Sequence, residues 1–281
     1  MNKNRIAIVT GANKGLGYAV VKSLCKKFRG IVYLTSRDEK RGIEACKGLE
    51  KLGLKPVYHQ LDITNETSIE KFRNHIQDKQ IEVIINNAGI LFQKDAPEPQ
   101  LFQVEQTVLV NFFSLINFCE AMLPYITYDG KIVNISSSSG HLCRIPSEDL
   151  RKKFSSENLT LKELKSLING YVEAVKRNED LKEVWGESPY VVSKVGVNAY
   201  TFLLQRNLFS KGVKVNCIHP GYVISDMTRG SGNVTPEDAA EVVVKLALEP
   251  QDTGLYIWSN GKPVPWDGPD PRQYIDGKQI N

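Results

Sequence analysis

The chain has no cysteine pair at C-x-x-C spacing, no long apolar run near its start, no block of like charge, no low-complexity tract and no internal repeat. Each absence removes a class of function. Its five cysteines (Cys25, Cys46, Cys119, Cys143 and Cys217) are scattered and odd in number, which argues against a zinc or dithiol site and suits a reducing compartment. The first apolar run, Ile6–Val9, follows Met1-Asn2-Lys3-Asn4-Arg5 and is too short for a signal-peptide core or a membrane span. The expected address is therefore the cytoplasm, with no membrane partner. Asn65-Glu66-Thr67 and Asn158-Leu159-Thr160 are then idle as glycosylation triplets. A net charge of +4 is a weak bias, and the densest basic stretch, Arg151-Lys152-Lys153, reads as the solvated face of a helix. No nucleic-acid partner is expected.

What is present is an alternation. Short β-branched runs (Ile6–Val9, Ile31–Thr35, Val57–Gln60, Val83–Ile85, Lys131–Ile135, Val213–Ile218 and Leu255–Trp258) are separated by amphipathic stretches, namely Leu16–Lys27, Glu39–Leu52, Thr67–Ile76, Leu101–Tyr125 and Tyr190–Leu208. A parallel crossover needs a helix-length connection, so the pattern predicts an α/β fold with a doubly wound parallel sheet flanked by helices. The near-continuous apolar character of the strands agrees with burial on both faces. Residues 1–281 are expected to form one domain. Two segments break the rhythm. From about 140 to 188 a helical insertion is predicted, because Leu161, Leu164, Leu167, Ile168, Tyr171, Val172 and Val175 fall at helical spacing behind a Thr160/Glu163 capping box. From about 261 to 281, Pro263, Pro265, Pro269 and Pro271 forbid regular helix or central strand, so an irregular tail is expected to wrap the surface, partly disordered at its end.

The first strand runs into Thr10-Gly11-Ala12-Asn13-Lys14-Gly15-Leu16-Gly17 and then a helix. Glycines allow a sharp turn and close backbone approach, and the helix N-terminus offers N–H groups and partial positive charge to a diphosphate. Gly11, Asn13, Lys14, Gly15, Leu16 and Gly17 are thus candidate dinucleotide contacts. The second strand ends Thr35-Ser36-Arg37, where NAD sites usually carry a carboxylate. Arg37 can grip a 2′-phosphate, and Lys14 is expected to converge on the same group, which favours NADPH. Asp38 reads as a helix N-cap.

Tyr190 and Lys194 stand one helical turn apart on one face. A phenol titrates ordinarily at about 10, and a cation four residues away is expected to draw it towards neutrality for proton transfer. Ser137, just past the strand ending at Ile135, can donate a hydrogen bond to a carbonyl oxygen gaining charge, with Ser136 the weaker candidate. Asn86-Asn87-Ala88-Gly89 ends the fourth strand with small residues suited to close cofactor approach. Asn111 lies mid-helix, a poor place for Asn unless it has a polar task. No metal site is expected.

In these motifs and their order the chain resembles the classical short-chain dehydrogenase/reductases. The likeness runs from Ile6 to about Trp258 and rests on Thr10–Gly17, Asp62, Asn86–Gly89, Asn111, Ser137, Tyr190, Lys194 and Pro220-Gly221. It implies a single Rossmann-type domain and a catalytic set of Asn111, Ser137, Tyr190 and Lys194. In that family the tyrosine protonates the carbonyl oxygen as hydride leaves the nicotinamide, the serine orients the carbonyl, the lysine also holds the nicotinamide ribose, and the asparagine holds a water. The resemblance further implies coenzyme contacts at Asp62, Ile63, Asn87, Ala88, Gly89, Pro220, Gly221 and Val223. Within the family the likeness is to the monomeric NADPH-dependent carbonyl reductases, whose similar insertion covers a dimerisation surface, so a monomer reducing a small carbonyl compound is expected. Tyr222, Ile90 and the insertion are candidate pocket walls. His219 stands where the best-known members carry a cysteine near a glutathione-binding region, which removes the expected basis for recognising glutathione conjugates. Competing readings are an NADPH sensor without turnover and an alcohol or steroid dehydrogenase working oxidatively.

Overall fold

A computed structural model describes residues 4–186, 188–249 and 252–277. The strands are β1 (Arg5–Val9), β2 (Ile31–Ser36), β3 (Val57–Gln60), β4 (Gln80–Asn86), β5 (Ile126–Ile135), β6 (Lys214–Ile218), β7 (Tyr256–Ile257) and β8 (Pro263–Val264). The helices are α1 (Gly15–Lys27), α2 (Glu39–Glu50), α3 (Glu66–His75), α4 (Gln100–Val108), α5 (Leu115–Met122), α6 (Glu148–Phe154), α7 (Leu161–Lys176), α8 (Pro189–Leu208), α9 (Pro236–Leu248) and α10 (Pro271–Tyr274). One sheet runs in the order β3-β2-β1-β4-β5-β6-β7-β8, parallel throughout except at β8. The strand order reverses between β1 and β4, and a doubly wound sheet opens its ligand crevice at that point, beyond the strands' carboxyl ends.

Alternation along β1 divides the core in two. Ile6 and Ile8 pack with Phe72, Phe112, Ile116 and Val195 on one face. Ala7 and Val9 pack with Val20, Leu24 and Val243 on the other. Helix starts follow the predicted caps: Asp38 accepts from the Arg41 N–H, Asn65 from Ser68, and Thr160 and Glu163 form the expected capping box. The insertion therefore has two helices, α6 and α7. Helix α7 lies on α4 and α8, and α8 is buried without a break from Val191 to Thr201. At Gly196 a Cβ would stand 2.8 Å from Phe112 and 3.1 Å from Ile168, so the missing side chain is what lets α7 approach.

Two expectations are corrected. The continuous helix from Leu101 to Tyr125 is interrupted by a π-helical segment, Leu109–Ser114, and ends in a 3-10 turn. A wider turn of this kind rotates the following residues, and here it centres on Asn111. The run Gln100–Tyr125 is apolar and long enough to cross a bilayer by length and composition, but over half of its most apolar 18-residue stretch is buried inside this fold.

The tail is more regular than its prolines suggest. Pro263 opens an antiparallel edge strand, and Pro271 occupies the first turn of α10 behind the Asp270 cap. Both are positions where proline's missing N–H costs nothing. Trp266 is buried, stacks 5.0 Å from Phe202 and donates its indole N–H to the Gly140 carbonyl at 2.6 Å. The predicted disordered end lies beyond Gly277, outside the described residues. Replacing Trp266 with Ala should cost about 3–5 kcal/mol by the usual penalty for a large buried aromatic. Urea denaturation should show the loss as a lower midpoint, and an unchanged midpoint would mean that the tail is only draped on the surface.

Candidate active site

Two loops meet at the switch point. Gly11 adopts φ +61°, and a Cβ there would stand 2.9 Å from the Ala88 Cα. A Cβ on Gly17 would fall 2.5 Å from the Asn87 side-chain nitrogen and 2.8 Å from the Gly11 carbonyl. The turn is thus pressed flat against the end of β4. Thr10 and Asn87 fasten it: the Thr10 hydroxyl accepts from the Asn87 and Ala88 N–H groups, and the Asn87 amide donates to the Thr10 and Gly11 carbonyls. Asn87 is an expected coenzyme contact, and its side-chain N–H groups are committed to the turn. The position preceding α1 is Lys14, which offers no capping side chain, and the helix's first turn carries no acid. An uncapped, acid-free helix start behind a glycine turn fits a dinucleotide diphosphate.

The two expected phosphate cations differ in their partners. Arg37 is exposed and makes no ion pair among the described residues, whereas the Lys14 ammonium lies 2.5 Å from Asp226 on the loop after β6. Lys14 holds the Asp226 carboxyl below the usual range by hydrogen bond and charge, and Arg41 adds to the effect. Arg41, in the first turn of α2, therefore shares an electrostatic neighbourhood with Lys14. Its only sequence signal was lying one turn beyond Arg37. Residues 226–229 also reach the loop after β4: Gln93 donates to the Met227 carbonyl at 2.6 Å, and Arg229 makes a bidentate pair with Asp95. Asp62 closes its own turn by accepting from Thr64, and Ile63 beside it is buried.

The catalytic candidates converge. Ser188 caps α8 and Pro189 opens it, which puts Tyr190 in the first turn and Lys194 one turn further. The Lys194 ammonium lies 5.7 Å from the Tyr190 ring centroid and donates to the Ile135 carbonyl at the end of β5 at 2.8 Å. Ser137 follows in extended conformation, and its hydroxyl oxygen accepts from the Ser139 N–H, which leaves its proton to donate. Ser136 is buried, so Ser137 is the serine that reaches the cleft. Asn111 is buried in the π turn. Its oxygen accepts from the Ile90 N–H at 2.8 Å, and its amide donates to the Ile90 carbonyl and to Ser193, whose hydroxyl donates to the Tyr190 carbonyl. A Cβ on Gly89 would stand 3.2 Å from the Asn111 oxygen and 3.8 Å from the Lys194 ammonium, so this glycine borders both.

Burial pushes the Tyr190 phenol up to about 12, with the Ser137 hydrogen bond pulling against it, and draws the Lys194 ammonium down to about 8. The phenol was expected to fall. Here desolvation outweighs the pull of Ser137, so near neutrality the tyrosine holds its proton and the lysine keeps its charge.

After β6, Gly221 turns at φ +92° and Val223 bridges to Val234, while Pro220 is buried. Tyr222 is half exposed with its hydroxyl on Ser231, and Ile90 is tied by its backbone to Asn111. His219 is buried and packs edge-on against Trp258 at 4.5 Å. A separate cavity of about 610 Å³, lined by Lys27, Glu241, Lys245, Glu249 and Lys262, contains none of these residues.

The profile of short chain dehydrogenases matches residues 5–146 and 157–234, most of the chain, with its gap inside the insertion. The chain belongs to the short chain dehydrogenase family. Among its relatives, this short chain dehydrogenase is 43% identical over 256 residues to carbonyl reductase (NADPH) 3 of Rattus norvegicus, covering 89% of this chain and 92% of that one. It is 39% identical to carbonyl reductase (NADPH) 1 of Sus scrofa, over 97% and 98% of the two chains. Salutaridine reductase from Papaver somniferum has the same fold, with a TM-score of 0.82 at 28% identity over 90% of this chain and 99% of that one.

Proposed function

We infer that this chain is an NADPH-dependent carbonyl reductase that converts ketones, aldehydes or quinones to alcohols, with Tyr190 as the proton donor. One observation carries the reading. A phenol hydrogen-bonded with Ser137 and one turn from Lys194 stands at the switch point of a sheet whose first turn is shaped for a diphosphate. The relatives printed as NADPH carbonyl reductases, at about 40% identity over most of the chain, support the same chemistry.

NADPH, when bound, supplies the hydride. The protein does the rest. Gly11, Asn13, Gly15, Leu16 and Gly17 would hold the diphosphate, Lys14, Arg37 and Arg41 the 2′-phosphate, and Asp62, Ile63, Ala88 and Gly89 would flank the adenosine. Pro220, Gly221 and Val223 would border the nicotinamide side. Ser137 donates a hydrogen bond to the substrate oxygen, and Tyr190 gives that oxygen its proton. Lys194 keeps positive charge beside the phenol and grips the nicotinamide ribose. Asn111, through Ser193, fixes the backbone of Tyr190. Exposed apolar side chains on the loops after β4 and β6, among them Leu91, Tyr222 and Ile224, suit an apolar carbonyl compound. Helix α7 lies over α4 and α8, which suits a monomer, and five unpaired cysteines suit the cytoplasm. Light scattering checks the first of these.

The test is nicotinamide absorbance followed with quinones, aromatic diketones, aldehydes and ketosteroids, using NADPH and NADH in parallel. Turnover with no carbonyl compound in the panel would defeat the reading. Arg37→Asp should lower kcat/KM for NADPH by about 10–100-fold, the scale of one lost charge-assisted contact, and leave NADH little changed. Equal losses with both coenzymes would remove Arg37 from the phosphate site.

Reduction needs the acid forms of both Tyr190 and Lys194. The lower value, about 8 for Lys194, sets the limit. The rate of reduction should be flat below that pH and fall about tenfold per unit above it. A rate that rises across the same range would reverse the assignment of acid and base.

A further inference from the structure

We propose that Tyr256 is a positioning residue for the reduction, holding Ser137 in place through a hydrogen bond to its backbone carbonyl. Tyr256 lies on β7, whose sheet partner is Cys217 of β6. Ser137 follows β5, one strand further in. The Tyr256 side chain spans that gap, and its hydroxyl donates to the Ser137 carbonyl at 2.6 Å. The ring is 1% exposed, edge-on to Trp258 at 5.9 Å and tilted against His141 at 6.3 Å. A phenylalanine would fill this space equally well, and a buried hydroxyl is costly unless it is bonded. The hydroxyl's bond is to the residue that must aim its own hydroxyl at the substrate. Burial holds the Tyr256 phenol well above its ordinary range, so it stays a donor throughout the working pH.

Ser137 needs such a hold. It stands where β5 gives way to a single 3-10 turn, Ser138–Gly140, which holds it locally through the Ser139 N–H on its hydroxyl and the Gly140 N–H on its carbonyl. The segment behind it is fastened by the tail. The Trp266 indole donates to Gly140, the Leu142 N–H donates to the Trp266 carbonyl at 3.1 Å, and the His141 ring lies 3.0 Å from the Pro265 carbonyl. Tyr256 is the member of this set that touches Ser137 itself. Stabilising an oxygen as it gains charge depends on donor placement to a fraction of an ångström. A loosened Ser137 therefore costs rate more than binding.

The inference rests on the role given to Ser137 above, and the experiment separates the two. Tyr256→Phe keeps the ring and removes only the hydroxyl. It should lower kcat by about tenfold, as expected for a donor displaced but not deleted. KM and the dissociation constant for NADPH should be unchanged, and Tm should fall by about 3 °C. The decisive comparison is with Ser137→Ala and the double variant, because two residues acting as one unit are not additive. If Tyr256 acts through Ser137, adding Tyr256→Phe to Ser137→Ala lowers kcat no further. An equal tenfold loss in both backgrounds would overturn the proposal and make Tyr256 a general structural residue. So would an unchanged kcat in Tyr256→Phe alone. If Ser137→Ala turns over like the wild type, the serine's role fails first and the proposal falls with it.

Discussion

Replacing Tyr190 with Phe should reduce turnover by about 10³-fold or more while leaving the NADPH dissociation constant within about twofold. General acid catalysis by a positioned side chain contributes about 10²–10⁴-fold, and phenylalanine has no proton to give. Ser137 lends a hydrogen bond but has no means of surrendering its proton near neutrality. Lys194 lies 5.7 Å from the Tyr190 ring centre, with its ammonium on the Ile135 carbonyl. Phe fills the same space, so the cleft and α8 persist. The measurements are steady-state turnover and coenzyme titration by fluorescence. Retained turnover with intact NADPH binding would remove Tyr190 from the chemistry, whereas loss of both would mean that the residue is only part of the coenzyme cradle.

Lys194→Met should separate function from stability. Lys194 is 5% exposed, and burial draws its ammonium down from 10.5 to about 8. The unfolded chain therefore binds the proton more tightly than the folded one. The folded state bears the full cost of that charge below about pH 8, and the cost disappears as pH rises towards 10.5. At pH 7 the shift corresponds to about 3 kcal/mol against folding. Methionine fills the space without the charge but leaves the Ile135 carbonyl without its ammonium partner, so the net gain should be about 1–2 kcal/mol. Activity should move the other way. Without the charge beside Tyr190 and its grip on the ribose, kcat/KM should fall by about 10²–10³-fold. A variant that melts higher at pH 7 and turns over poorly is the expected result. Parallel loss of stability and activity would mean that Lys194 is a structural residue, and the stability gain should vanish above pH 10.

The fold was legible because its signals are local. β-branched runs bounded by turn residues marked the strands, and Thr160 with Glu163 or Asp38 before α2 marked helix starts through neighbours three residues away. Tyr190 with Lys194, and Gly11 with Gly15 and Gly17, were legible for the same reason, since one helical turn or one tight turn brings them together. What escaped was set by distance along the chain. Lys14 and Asp226 are 212 residues apart, and Tyr256 and Ser137 are 119 apart. No periodicity announces such pairs. The π segment around Asn111 escaped because an extra residue in a helical turn leaves the apolar pattern almost unchanged. The tail misled because proline forbids central strand and helix interior but permits the edge strand and first-turn positions that Pro263 and Pro271 occupy. The direction of the Tyr190 shift was misjudged because a lysine four residues away is visible in sequence, while the desolvation that raises the phenol comes from packing.

The most direct test is a single turnover with NADPH deuterated at both nicotinamide C4 positions and an aromatic diketone. The alcohol produced should carry one deuterium on the former carbonyl carbon, with one coenzyme oxidised per alcohol formed. Coenzyme that binds but is not oxidised, or an alcohol without deuterium, would contradict the assignment of this chain as a carbonyl reductase.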